Sequence, residues 1–303
     1  MGQKYISEEE IDKIYKTEEK EILKLMKLSP NKIVEVDGMI GFEIEIDENE
    51  IFLEPSAGAG VFLEFLPHYI ALDIAPEGEF IEKQDFLKYE PNRNDFITIG
   101  NPPFGKRSST AIEFFNRAAT MSNIIAFILP VSFMKWNVQK NLSSNFSLLN
   151  LMYLAPESFT DNGKPYSVRT VFQIWVKKGS KYDKGIDLRL KKQPPISHPD
   201  FKIWQYNATP EAVKYVEEDW EIATYRQGHY DFNKLFTRED YETIKEQMTG
   251  ERKKQFFFIK PLTEEARQII LNMDFNALAE RNTATPGFGK GDFVSYYVEL
   301  KSQ

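Results

Sequence analysis

Along residues 6–29, Ile11, Ile14, Tyr15, Ile22, Leu23, Leu25 and Met26 recur among Glu and Lys at a spacing that predicts an amphipathic helix, broken by Ser29, Pro30 and Asn31. Phe42 to Ile46 alternates apolar and acidic residues, which is the period of a half-buried strand. A short apolar run, Ile51, Phe52 and Leu53, reads as a buried strand leading directly into Glu54-Pro55-Ser56-Ala57-Gly58-Ala59-Gly60. From there short apolar runs and helical stretches alternate. Strands are expected over 69–73, 95–99, 124–129, 148–154 and 167–177, with a helix over 110–120. That alternation predicts an α/β fold, a Rossmann-like sheet with helices on both faces.

After about residue 179 the texture becomes Lys-rich, and past Pro194-Pro195 it becomes aromatic-rich without clear alternation. A domain boundary is therefore expected near residue 190. The chain divides into an N-terminal helical segment (1–47), a sheet domain (48–190) and a smaller C-terminal α+β region (191–303). In the last, a strand at 255–259, a helix over 263–279 and a Gly-rich turn at 286–291 are expected.

Composition narrows the chemistry. Cysteine is absent and histidine occurs three times, which excludes disulfides, thiolate zinc sites and cysteine nucleophiles and points away from a built-in metal centre. Reactivity must come from a bound cofactor or from carboxylates and amides. No apolar run approaches the roughly 18 residues of a membrane span, and the opening MGQKYISEEE has no basic lead into an apolar stretch, so a cytoplasmic protein is expected. A net charge of −8 argues against a polyanionic partner, yet residues 1–50 alone hold 14 Asp/Glu against 7 Lys/Arg. Basic clusters stand elsewhere, at Lys106-Arg107, across 177–192 and at Arg252-Lys253-Lys254, each readable as a phosphate contact or as a solvated face.

A strand that ends in a carboxylate and passes into Ser-Ala-Gly-Ala-Gly needs glycines where the backbone turns sharply and a ligand approaches it. Nineteen residues after Glu54 the next strand ends in Asp73, near the spacing at which an acid reaches ribose hydroxyls in dinucleotide folds. A tight turn with no ligand is the plainer alternative. The loop lacks the Lys-Ser/Thr of phosphate sites, and its opening carboxylate repels phosphate while suiting a cationic ligand. S-adenosylmethionine, with an ammonium and a sulfonium, fits that charge. Further on, Asp85 can accept from an adenine amine with Phe86 packing on the ring; equally, Asp85 can cap a helix, and both can hold together.

The strand over 95–99 runs into Asn101-Pro102-Pro103-Phe104, a sequence expected by chance in on the order of one in 10² to 10³ chains of this length. The alternative is a stiff loop at a strand end. Two prolines fix two φ angles and leave their carbonyls rigid and free. An amine conjugated to a ring is a poor nucleophile. An Asn oxygen and a Pro carbonyl that each accept one of its N–H bonds draw the nitrogen toward tetrahedral geometry and localise its lone pair. An aromatic at the fourth position can stack on a flat base and align it, and a base in a duplex must first leave its stack.

On these residues the chain, over about 48–178, resembles the class I S-adenosylmethionine-dependent adenine-N6 DNA methyltransferases of the Asn-Pro-Pro-Phe type, nearest to small phage and mobile-element enzymes. The resemblance implies a class I methyltransferase sheet. It implies that Glu54, Pro55, Ser56, Ala57, Gly58 and Gly60 form the cofactor loop, that Asp73 with Ile74 and Asp85 with Phe86 contact ribose and adenine, and that Asn101 to Phe104 are catalytic. Pro130-Val-Ser-Phe133 and the stretch from Glu157 to Trp175 resemble the remaining core motifs. Lys106, Arg107, Phe159 and Tyr166 become candidate contacts to the nucleic acid or flipped base, although Phe159 and Tyr166 also suit core packing. The implied partner is DNA, with RNA, a protein glutamine amide, or an inactive nucleic-acid-binding subunit as alternatives, acting as monomer or homodimer. The family's usual Pro-containing N-terminal motif is not evident before Ile51, and the C-terminal region matches no nameable recognition module.

Overall fold

The computed structural model describes residues 44–155, 160–161, 164–165, 168–250, 253–282 and 285–302, so the helix expected over 6–29 lies outside the described residues. The described chain falls into two compact units, divided between Lys191 and Lys192.

The first unit is built on a seven-stranded sheet. Strands β1 (Phe52–Glu54), β2 (Tyr69–Asp73), β3 (Glu82–Lys83), β4 (Phe96–Gly100) and β5 (Ser122–Pro130) are parallel, and β6 (Phe146–Tyr153) and β9 (Thr170–Lys177) complete it. The order is β3-β2-β1-β4-β5-β9-β6, with β9 antiparallel to both its neighbours. A two-stranded ladder, β7 (Thr160–Asp161) with β8 (Lys164–Pro165), lies between β6 and β9 in sequence. This is the Rossmann-like α/β arrangement read from the alternating pattern. The central strands are apolar runs because both their faces are covered, as parallel sheets require.

Period-two alternation sends neighbours to opposite faces. Leu53, Phe127 and Trp175 join one core; Phe52, Ile124, Ala126, Phe172 and Ile174 join the other. Helix α1 (Ser109–Ala118) covers the first face because Ala111, Phe114, Phe115 and Ala118 recur at i, i+3, i+4 and i+7 and are all buried. Phe115 meets the Trp175 ring edge-on at 5.0 Å. Burial of one such ring stabilises by about 1.5–3 kcal/mol. The short helix α2 (Trp136–Gln139) follows β5 on the same side, with Val138 in that core. Against the second face the described residues place Ile44, Phe62, Leu66 and Tyr182. No helix among the described residues is long and apolar enough to cross a membrane.

The second unit is α+β: a three-stranded antiparallel sheet, β10 (Phe201–Tyr206), β12 (Gln255–Pro261) and β11 (Ile222–Gln227), with β12 in the middle. Helices α3 (Tyr241–Thr249), α4 (Glu264–Leu271), α5 (Phe275–Ala279) and α6 (Lys290–Lys301) accompany it. Phe256, Phe257, Phe258 and Ile259 of β12 are fully buried, with Phe257 stacked on Phe288 at 5.1 Å and Phe258 tilted against Trp220 at 5.2 Å. The single helix expected over 263–279 is two helices. Asp274 interrupts it, its carboxylate accepting the N–H groups of Asn276 and Ala277 and so starting a new helix. Strands β10 and β11 and helix α6 were not expected from the pattern.

Candidate active site

β1, β2, β4 and β5 run parallel and finish at one edge of the sheet, the edge at which open α/β sheets hold their ligands. Glu54 closes β1 with only 2% of its surface exposed. The chain then turns at Gly58 (φ 54°) and Gly60 (φ 81°), left-handed conformations that cost a side-chain-bearing residue about 1–2 kcal/mol. A Cβ placed on Gly58 meets nothing within 4 Å, so the loop is open on that side.

Asp73, at the end of β2, holds this loop. Its Oδ2 accepts the Gly58 N–H and its Oδ1 the Ala75 N–H, each at 2.8 Å, and a carboxylate oxygen so engaged keeps a lone pair for a further donor. Ile74 beside it is 71% exposed. Asp85 takes the capping role: Oδ1 accepts the Leu87 N–H at 3.0 Å, and Lys88 pairs with Oδ2 at 3.2 Å. Phe86 lies in the core beneath, its ring 5.1 Å from that of Phe114.

The ends of β1 and β4 touch. A Cβ on Gly100 would lie 3.5 Å from both Glu54 Cγ and Pro55 Cδ, and Ser56 Oγ donates to the Asn101 carbonyl oxygen at 3.1 Å. Loop and tetrapeptide, 45 residues apart in sequence, are therefore one structure. Asn101 Oδ1 is buried and has no hydrogen-bond partner among the described residues. A buried amide oxygen left in that state costs about 1–3 kcal/mol, which an arriving N–H donor relieves. Pro102 is buried, Pro103 exposed and Phe104 half-buried.

Beyond Phe104 the backbone is strained. Gly105 adopts φ 68°, ψ 179°, and a Cβ there would fall 2.1 Å from Thr110 Oγ1, so only glycine fits. Arg107 (φ 54°) and Ser108 (φ 65°) are left-handed without being glycine. Ser108 Oγ and Ser132 Oγ share a hydrogen bond of 2.7 Å, tying this turn to the one that follows β5. Lys106 and Arg107 are exposed. Sequence reasoning gave Ser56 no partner and Ser132 no role, because serine at a strand exit carries no signal of what it meets. Phe159 and Tyr166 lie outside the described residues.

Among the described residues no group of three or more acidic or histidine side chains is placed to hold a metal ion. A separate hollow of about 390 Å³, lined by Ile44, Ile46, Lys181, Tyr182 and Lys184 among others, adjoins the chain that enters β1. There Glu50 Oε1 accepts from Tyr182 Oη and pairs with Lys181 Nζ, both at 2.5 Å, and burial pushes the Tyr182 phenol well above its ordinary range. It lies at the opposite end of β1 from Glu54.

The sheet is a Rossmann-like one in which five parallel strands are followed by an antiparallel strand inserted before the last. No family model matches this sequence, nor does any curated protein. Among solved structures, similarity is found to the N-methyltransferase NodS from Bradyrhizobium japonicum WM9 (12% identity, 55% of this chain, 97% of that one, TM-score 0.36). The 23S rRNA methyltransferase ErmE is similar at 15% identity over 60% of this chain and 73% of that one, TM-score 0.34. A proposed RNA methyltransferase from Pyrococcus horikoshii is similar at 19% identity over 42% and 74%, TM-score 0.33.

Proposed function

We propose that this chain is an S-adenosylmethionine-dependent methyltransferase whose acceptor is the N6 amine of adenine in DNA. The observation that carries the proposal is the Asn101 side-chain oxygen, buried without a hydrogen-bond partner among the described residues beside the acidic, glycine-turned loop to which its own carbonyl is bonded. The loop suits the cofactor on two counts: the open space at Gly58 leaves backbone accessible, and the buried Glu54 carboxylate favours a cationic ligand.

In this reading Glu54 and the loop to Gly60 hold the cationic end, and the free lone pairs of Asp73 take the ribose hydroxyls, with Ile74 against the adenine. Asp85 and Phe86 support that end from the cap and the core. Bound there, the cofactor supplies a methyl group activated by its sulfonium. Asn101 Oδ1 accepts one N–H of the acceptor amine, which withdraws the lone pair from the ring and turns it toward the loop. The rigid proline carbonyl at 102 is the second acceptor. Phe104 stacks on the base and fixes its distance. Lys106 and Arg107 meet backbone phosphate.

The test incubates the protein with labelled cofactor and DNA or RNA, then digests to nucleosides. Label in N6-methyldeoxyadenosine is the expected result. Its absence from every DNA, with label in RNA adenine or in a glutamine-containing peptide, would overturn the acceptor.

A further inference from the structure

Between Gly100 and Pro156 the only carboxylate is Glu113, against Lys106, Arg107, Arg117, Lys135 and Lys140, in a chain whose net charge is −8. Arg117 is engaged structurally with Glu90 and the Tyr89 carbonyl. Three others stand on two turns that the Ser108–Ser132 hydrogen bond clasps together: Lys106 and Arg107 on the first, Lys135 opening α2 on the second.

Helix α2 adds an aromatic. Trp136 is half-buried, and the exposed Lys140, one turn on, sets its Nζ 4.6 Å from the centre of the indole ring. Asn116 of α1 donates to the Asn141 carbonyl and accepts the Ser143 N–H, so the segment after α2 is bound to α1. The strip from the tetrapeptide past the serine clasp to Trp136 and Lys140 is thus joined at its two turns by one hydrogen bond and at its far end, to α1, by two. Its first part is held in left-handed backbone at Arg107 and Ser108, a cost of about 1–2 kcal/mol per residue that recurs at functional sites.

Cations beside a partly exposed aromatic ring are the pairing that seats a nucleic-acid strand, with phosphates on the cations and a base on the ring. We propose that Lys106, Arg107, Trp136 and Lys140 form the track for the strand flanking the acceptor base, with Trp136 as the stacking platform and Lys140 as a phosphate contact. The proposal rests on the nucleic-acid reading above and adds two residues to it.

The full chain is titrated into a labelled single-stranded oligodeoxynucleotide at several salt concentrations, reading anisotropy and tryptophan fluorescence, with cofactor affinity measured separately by calorimetry. Trp175 and Trp220 are buried and Trp204 is partly so, which leaves Trp136 as the indole on the strip. Lys140→Gln, an exposed change that spares the core, is expected to weaken binding several-fold and to lower the slope of log K against log salt by about 0.7. Trp136→Phe is expected to abolish most of the quenching while keeping the fold, and Trp136→Ala to weaken binding about 5-fold or more. Cofactor affinity stays within two-fold in all three. Unchanged slope in Lys140→Gln together with unchanged quenching in Trp136→Phe overturns the track while leaving nucleic-acid methylation standing. A wild-type chain that binds no oligonucleotide and labels a peptide amide instead overturns both.

Discussion

Asn101 combines two features at one residue: its carbonyl is bound by Ser56, and its side-chain oxygen is buried without a hydrogen-bond partner among the described residues. Replacing it with alanine is expected to lower methyl transfer by at least ~10²-fold, the scale of losing one positioned hydrogen-bonding group, while cofactor affinity by calorimetry changes less than a few-fold. Loss of cofactor binding in that variant would contradict the assigned role. Gly105→Ala is a second test. Positive φ and the overlap with Thr110 are expected to cost at least ~1–2 kcal/mol, read as a lower urea midpoint, and to distort the turn that carries Phe104. The places of Glu54, Asp73 and Asn101 at the ends of β1, β2 and β4 were legible because the apolar runs that precede them mark the strands. The Ser56–Asn101 and Ser108–Ser132 bonds were not, since they join residues 45 and 24 positions apart and leave no local pattern.

At the level of elements, the parallel strands declared themselves as apolar runs because both faces are buried, and β2 matched its expected span residue for residue. The C-terminal unit was harder to read. β10 and β11 mix aromatic with polar residues, as in Phe201-Lys202-Ile203 and Tyr225-Arg226-Gln227, and so lack a clean period. Helix α6 was hidden by its Gly-rich approach, its buried Phe293, Val294 and Tyr297 forming too narrow a stripe to register. The break between α4 and α5 was missed because Asp274 resembles a helical surface residue until its carboxylate is seen to take two backbone N–H groups. Asp274→Ala is expected to destabilise that unit by about 1 kcal/mol, measured by the shift in its urea midpoint.

Over the whole molecule, lowered carboxylates make the fold acid-sensitive, and one of them lies where α6 is fastened. Asp200 Oδ2 accepts from Lys301 Nζ and from Tyr297 Oη, each at 2.6 Å, and these two donors hold its carboxyl below the usual carboxylate range. Tyr297, its phenol pushed up to about 12 by burial and by that bond, stays a donor across the working range. A depressed carboxylate adds stability that is complete above its unfolded pKa of about 3.9 and lost as pH falls through the folded value. Thermal unfolding between pH 7 and pH 2 should therefore show a decline at the acid end, shared with other lowered carboxylates such as Asp219 and Asp274, that Asp200→Asn makes measurably shallower. The Ser56 to Asn101 bond has a consequence of another kind. If the loop holds the cofactor and Asn101 the acceptor, as proposed, this one hydroxyl joins the two sites, and any effect of occupying one on affinity at the other must be reciprocal. A non-reactive cofactor analogue should then tighten oligonucleotide binding by the same factor that the oligonucleotide tightens the analogue, and Ser56→Ala should bring that shared factor toward one.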